Sequence, residues 1–378
     1  MEFNIDRADL LAAIDKCSLV IDLKHPTESF RLMTVETKKK TVRLAASGEF
    51  ASLATVAEAE VKNQGGFIVS PSRLRDIAAV MPLGRIQVSL KGERVTVKSL
   101  VSSRKATFQR HSAELRAVED PGSKAPWKQV NARELTRALR MVKHASTWDV
   151  RDDPTVSLLI PTERGLDVFG CNSYLVSLVE TSIRIDGDNI QVPESAAAAL
   201  ALMVETDDNV RIFCDGMRTY LESCDTIVSA LLTATDSAHS YKFYGEMLAF
   251  ILNNLRNGAN TVGPVISLSK LHQGFKSVMS LAGFARDNEK GSRGLQVHAV
   301  IGSDTVVLDL GLSEADARDE FDVIQSGAEL EFWLSSQFLD KFLGSLSGVE
   351  EVQALRAENI FVLRSQGVVT GIMEEVKK

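Results

Sequence analysis

One pattern recurs along this chain and limits every fold it can adopt: a short β-forming run, a capping residue, then an amphipathic helix. Its clearest copy is residues 67–99, FIVSPSRLRDIAAVMPLGRIQVSLKGERVTVKS. Phe67, Ile68 and Val69 favour a strand. Ser70 stands where an N-cap belongs, and Pro71 fits the first helical position, where its missing N–H costs nothing. Leu74, Ile77, Ala78 and Met81 recur at helical spacing until Pro82 and Gly84 stop the helix. Ile86, Val88 and Leu90 then alternate with polar residues. Lys91-Gly92-Glu93 supplies a turn, and Val95 and Val97 alternate again.

The same order predicts helices over 7–18 with Asp6 as cap, 132–144 with Asn131, 193–204, 268–281 with Ser267, and 335–346. Their starts lie about 60–75 residues apart, a steady period for a repeat architecture. After the second, fourth and sixth helices comes a compact hairpin: 86–99, 209–223 and 351–365. After the first, third and fifth comes a longer β segment: 30–61, 156–185 and 295–324. Two such units make a segment of about 120–130 residues, a natural domain size. The chain is expected to divide as 1–122, 123–247 and 248–378. The first boundary falls in the polar Pro/Gly stretch 119–126. The second falls in the long connection 233–264, where 247–255 reads as an inserted helix. Antiparallel hairpins with helices on one face make this an α+β protein.

Composition narrows the function. The 378 residues are 44% hydrophobic and 25% charged, as in a globular protein. The longest apolar runs are too short to span a bilayer, and the N-terminus lacks a basic region followed by an apolar one, so a cytoplasmic protein is expected. Cys17, Cys171, Cys214 and Cys224 form no CxxC and have no His cluster beside them, which argues for reduced thiols and against zinc. Net charge is −7, yet the six helices carry eleven basic residues against six acidic ones. The bases are Arg7, Lys16, Arg73, Arg75, Arg133, Arg137, Arg140, Lys143, Lys270, Lys276 and Lys341. The fourth helix has none. Two readings fit: ordinary solvated helix faces, or a basic surface that holds a polyanion by its phosphates without reading bases.

With these residues in hand, the chain resembles the β subunit of bacterial DNA polymerase III, the DNA sliding clamp. The likeness rests on residues 67–99, on Trp148-Asp149-Val150-Arg151, on IQVPESAAAALALM, and on EFDVIQSGAELEFWLSSQFLDKFLGSL, all in family order. The resemblance implies a clamp fold of three similar domains, each of two strand–helix–strands units, with helices inside and antiparallel sheets outside. Two copies would close head to tail as a homodimer ring around double-stranded DNA, sequence-independently. The ring would act as a processivity factor in DNA replication. It would have no catalytic activity and no cofactor. Partners would be the polymerase, the clamp loader and other proteins bearing clamp-binding peptides.

The resemblance places Arg73, Lys24 and His25 near DNA, beside the helix-borne Arg75, Arg133, Arg137, Arg140, Lys143, Lys270 and Lys276. It places a partner-binding pocket at Pro154, Asn172, Tyr174, Leu175, Ile372 and Met373. The chain also departs from the family. Asp152 and Asp153 stand where aromatic DNA-contacting residues belong, and Glu374 and Glu375 replace apolar pocket residues. The edge at residues 104–109 would meet a partner copy near 276–284.

An enzyme reading has little to work with. Asp149, Asp152 and Asp153 could ligate a metal, but a solvated acidic loop is the plainer account. His25, His111, His144, His239, His272 and His298 are scattered singly, and GxSxG, HExxH and the P-loop are absent. A second reading is a clamp-fold scaffold or decoy that binds proteins without encircling DNA.

Overall fold

The computed structural model describes residues 1–146, 156–172, 174–204, 208–232, 249, 263–284, 295–312, 315–346, 348–357 and 359–374. It forms two compact units: Met1–Thr136 with Ile190–Thr233, and Arg137–Asn189 with Ala234–Lys378. All six expected helices are present: α1 (Arg7–Ser18), α2 (Pro71–Val80), α3 (Ala132–Ser146), α4 (Glu194–Met203), α5 (Leu268–Met279) and α6 (Ser336–Ser345). The inserted helix expected at 247–255 lies outside the described residues, apart from residue 249.

The caps explain where these helices start. Asp6 Oδ1 accepts the Ala8 N–H at 2.8 Å, Asn131 Oδ1 accepts that of Glu134 at 2.9 Å, and Ser267 Oγ accepts that of Lys270 at 3.4 Å. Ser70 behaves differently from the expectation. Its hydroxyl pairs with Ser72 Oγ at 2.9 Å, and α2 starts on Pro71 without a side-chain cap. Pro71 has already removed one of the donors a cap would serve.

In the first unit, a five-stranded antiparallel sheet runs in the order Glu60–Asn63, Glu2–Asp6, Arg85–Lys91, Arg94–Ser99, Lys105–Gln109. An eight-stranded sheet runs Lys128–Asn131, Asn209–Cys214, Arg218–Glu222, Thr226–Leu231, Ala51–Glu58, Thr41–Ser47, Met33–Lys38, Gly65–Val69. Its seam is Thr226–Leu231 paired antiparallel with Ala51–Glu58. This seam draws four strands from each of the first two sequence segments into one sheet, so the compact unit crosses the segment boundary. Residues 119–126 have no strand or helix, and Glu119 is ion-paired to the buried Arg218. Helix α1 buries Leu10, Ala13, Ile14 and Cys17 and packs on Ala51–Glu58 beside α2.

In the second unit, seven strands run Val156–Thr162, Gly165–Cys171, Leu175–Thr181, Val368–Met373, Ile360–Ser365, Glu351–Ala357, Val265–Ser267. A four-stranded sheet runs Asp316–Asp322, Thr305–Gly311, Gln296–Ile301, Leu330–Ser335. The turn expected at Lys91-Gly92-Glu93 joins Arg85–Lys91 to Arg94–Ser99 in the first unit, and Gly92 adopts φ 56° there.

Helix α3 lies directly on Gly170. A Cβ there would sit 2.3 Å from Ser146 Oγ and 2.9 Å from the Val142 carbonyl oxygen. Gly170→Ala is therefore expected to cost about 2 kcal/mol by overpacking. Urea denaturation checks this, and Gly170→Ala/Ser146→Ala should recover part of the loss. A neutral Gly170→Ala would show that α3 can slide.

Candidate nucleic-acid interface and partner site

The basic residues divide by what holds them. Helix α3 buries Leu135, Ala138, Leu139, Val142 and Ala145, which turns Arg133, Arg137, Arg140 and Lys143 to solvent at three- and four-residue steps. Arg133 is tied to Asp208 Oδ1 at 2.8 Å. Arg137 and Arg140 have no ion-pair partner among the described residues. Arg73 on α2 and Lys270 and Lys276 on α5 are likewise exposed.

Other cations are engaged. Arg75 Nε binds Asp15 Oδ1 at 2.6 Å. Arg7 caps the far end of α2, donating to the Ala78 and Ala79 carbonyls at 3.0 and 2.8 Å. Lys16, counted on a polar face from sequence, is only 8% exposed. Its Nζ donates to Asp225 Oδ2 at 2.8 Å and to Thr226 Oγ1 at 3.2 Å. The interior around the Asp225 carboxyl would raise its pKa, but hydrogen bonds from Lys16 and Thr226 outweigh that and hold it below the ordinary value.

Lys24 is exposed on the loop after α1. His25 Nδ1 accepts the Thr27 N–H at 3.0 Å, while Nε2 faces Glu49 Oε2 at 3.4 Å. His25 is thus held by contacts within the first unit on both ring nitrogens. Burial pushes the Cys17 thiol up to about 12 and raises that of Cys171, so neither is a nucleophile. Among the described residues, no group of three or more His, Cys, Asp or Glu is placed to hold a metal ion.

The second unit assembles most of the partner-site residues. Strands Leu175–Thr181 and Val368–Met373 pair with Leu175 opposite Ile372, and the Met373 N–H donates to the Tyr174 carbonyl at 2.8 Å. Asn172 Oδ1 accepts the N–H groups of Tyr174 and Leu175 at 2.9 and 2.8 Å, and this fixes the turn. Leu175, Ile372 and Asn172 are buried and act as scaffold. The half-buried Tyr174 and Met373 form the reachable surface.

Sequence reasoning missed Phe338 of α6, whose ring stacks on Tyr174 at 4.6 Å and 16°. An aromatic residue just before Leu339 was the available signal. Glu374, an expected intrusion, is neutralised by Arg356, which lies over the Phe332 ring at 4.6 Å. Pro154, residues 148–153, Ser173, the stretch 234–241, His239 and Glu375 lie outside the described residues.

Below this turn sits His144. Its Nε2 meets Thr370 Oγ1 at 3.2 Å, and Thr370 in turn donates to the Val176 carbonyl at 3.1 Å. Burial lowers the imidazole to about 4.

Residues 1–114 match the family model described as DNA polymerase III beta subunit, N-terminal domain. No curated protein matches the sequence. The fold is similar to the DNA polymerase III beta subunit of Thermotoga maritima, at TM-score 0.82 and 16% identity over 100% of both chains. It is similar to the DNA polymerase sliding clamp of Bacillus subtilis at TM-score 0.83 and 13% identity, and to that of Pseudomonas aeruginosa at 0.81 and 16%, again over 100% of both chains. Residues 1–114 thus match the DNA polymerase III beta N-terminal domain in sequence, and the whole chain shares the fold of these solved sliding clamps.

Proposed function

We propose that this chain is a DNA sliding clamp: a non-catalytic ring of two copies that encircles duplex DNA and tethers a polymerase, with a loader and other peptide-bearing clients as partners. The observation that carries the reading is the clamp fold, matched over the full length of solved clamps. The three segments 1–122, 123–247 and 248–378 are then its domains. Among the described residues, no helix is long and apolar enough to cross a membrane, which suits a DNA-bound protein of the cytoplasm.

Exposed Arg137 and Arg140 supply phosphate contacts that exchange cheaply during sliding. Two open sheet edges suit head-to-tail closure. Lys105–Gln109 ends the five-stranded sheet, and Asp316–Asp322 ends the four-stranded one. Lys276, expected near the partner edge, lies on α5, which packs over Asp316–Asp322.

The topological claim is testable. With a loader, the protein should stay on nicked circular DNA and be lost once the circle is cut. Arg137→Glu/Arg140→Glu should lower the loaded fraction about tenfold, by loss of phosphate contacts. Equal retention on linear and circular DNA would refute encirclement. One observation favours the scaffold reading: α4 carries Glu194 and no cation. A clamp that binds clients while failing to load would support that alternative.

A further inference from the structure

The chain that joins the first two sequence segments lies as a strap across one face of the eight-stranded sheet. Lys16 of α1 reaches Thr226, whose hydroxyl meets Thr55, so Thr55 points toward α1 while Ser52 and Ala54 point away from it. The strap runs over that second face. Residues 112–127 form no helix or strand. The strap enters at His111, whose N–H donates to the Ile68 carbonyl at 2.9 Å. The Arg116 carbonyl then accepts the Ser47 hydroxyl at 3.0 Å, and Glu119 pairs with Arg218 Nε at 2.5 Å. Trp127 ends it with its ring edge-on to Phe213, centroids 6.1 Å apart. Among the described residues, no backbone–backbone hydrogen bond joins residues 112–121 to the sheet. Side chains of the sheet hold the middle of the strap, which places it among the segments that open at low cost.

Beneath the strap, Ser47, Ser52 and Ser229 form a row on three neighbouring strands: Ser47 stands opposite Ser52, and Ser52 opposite Ser229. Directly opposed residues share a face of the sheet. The row ends at Arg218, whose Nη1 donates to Ser229 Oγ at 3.2 Å and whose side chain is 9% exposed. Ser47 and Ser229 are thus engaged. Ser52 between them is buried, and its Oγ has no hydrogen-bond partner among the described residues. Ala117 and Val118 are the two strap residues between the Arg116 and Glu119 contacts, and neither side chain can form a hydrogen bond. A buried hydroxyl left unpaired costs stability, so the strap is an imperfect occupant of the channel it covers.

We propose that this channel is a docking groove for an extended, acidic segment of a partner protein, and that the strap is its displaceable occupant in cis. The seated strap defines the ligand: a chain without secondary structure, with a carbonyl on Ser47 and a carboxylate on Arg218. Arg218 sets the charge of the occupant, because a buried guanidinium needs an anion beside it. Glu119 meets that need now, and it is 41% exposed and free to swing outward. The partner segment sets its own carboxylate there and brings a hydroxyl or amide over Ser52. Serine and alanine in the floor let a backbone approach closely. The groove belongs to the first unit, shares no residue with the candidate partner site at Tyr174 and Met373, and stands independently of the ring reading.

The probe is a fluorescein-labelled peptide of the strap's own sequence, SAELRAVEDP (residues 112–121), read by anisotropy against the full chain. In the Glu119→Ala protein the strap loses its latch, so the peptide should bind about tenfold tighter than to the parent, whose own strap competes. The Glu119→Ala form of the peptide should lose about tenfold on the same protein. A Val118→Thr peptide should gain about fivefold, since its hydroxyl reaches Ser52, and the gain should vanish on a Glu119→Ala/Ser52→Ala protein. Should Glu119→Ala melt early, Leu115→Ser/Val118→Ser loosens the strap without touching Arg218 and should give the same order of affinities. Equal binding to parent and loosened proteins, no binding to either loosened protein, or a peptide indifferent to its carboxylate overturns the groove and leaves the ring reading untouched.

Discussion

Lys16→Ala should destabilise the first unit by about 3 kcal/mol, measured by urea denaturation. Removing the ammonium leaves the Asp225 carboxylate beside a buried threonine pair, Thr226 and Thr55, whose hydroxyls are 3.0 Å apart. The cost sits at the lower end for a broken buried pair because the Asp225 side chain keeps 30% of its exposure. Asp225→Asn in the Lys16→Ala background should restore part of the loss, since it removes the orphaned charge. A loss below about 1 kcal/mol would mean that water screens the pair as it does a surface bridge. The pair links α1 to strand Thr226–Leu231, so the same variant should loosen the seam of the eight-stranded sheet.

The second large effect is a pH dependence set by His144. Its folded-state pKa, about 4, lies below the ordinary 6.5 because burial penalises the charged ring. The unfolded chain therefore takes up the proton first as pH falls. Stability from the neutral ring is complete above pH 6.5 and is lost on descent toward pH 4, amounting to about 3 kcal/mol. Subtracting the curve of His144→Gln from that of the parent isolates this slope from the carboxylates. Parallel curves between pH 6.5 and 4 would show that the ring is hydrated. Because His144 and Asn172 join α3 to the Tyr174 turn, through an Asn172 Nδ2 contact of 3.5 Å with the His144 carbonyl, acid should disturb the candidate partner site before the rest of the unit.

What the sequence made legible was local. Caps at Asp6, Asn131 and Ser267, the Pro71 start, and turns at glycines are decided within a few residues, and the helices fall where they point. The six-fold recurrence multiplied that signal. The basic residues were read less well, since a cation's freedom depends on carboxylates far along the chain. Lys16 meets Asp225 across 209 positions and Arg75 meets Asp15 across 60, and no window on either helix reveals this. Arg137 and Arg140 were legible because helical spacing alone turns them outward.

The candidate partner site shows the same limit. Leu175 and Ile372 are apolar whether they line a pocket or fill a core, and only the strand pairing assigns them to the core. Phe338 reaches Tyr174 from 164 positions away by packing of the whole unit.

The eight-stranded seam also bears on how the protein is born. Strand Ala51–Glu58 pairs with Thr41–Ser47 on one side, and its other side finds a partner only in Thr226–Leu231. A nascent chain must therefore carry an unfinished edge while the intervening residues are synthesised, and loop closure over that span is slow and entropically costly. The second unit closes over a longer span of sequence, since Leu175–Thr181 pairs with Val368–Met373. Repeats that look independent in sequence are completed out of step with their own synthesis, and the vulnerable interval is the one in which half of each sheet exists without the other.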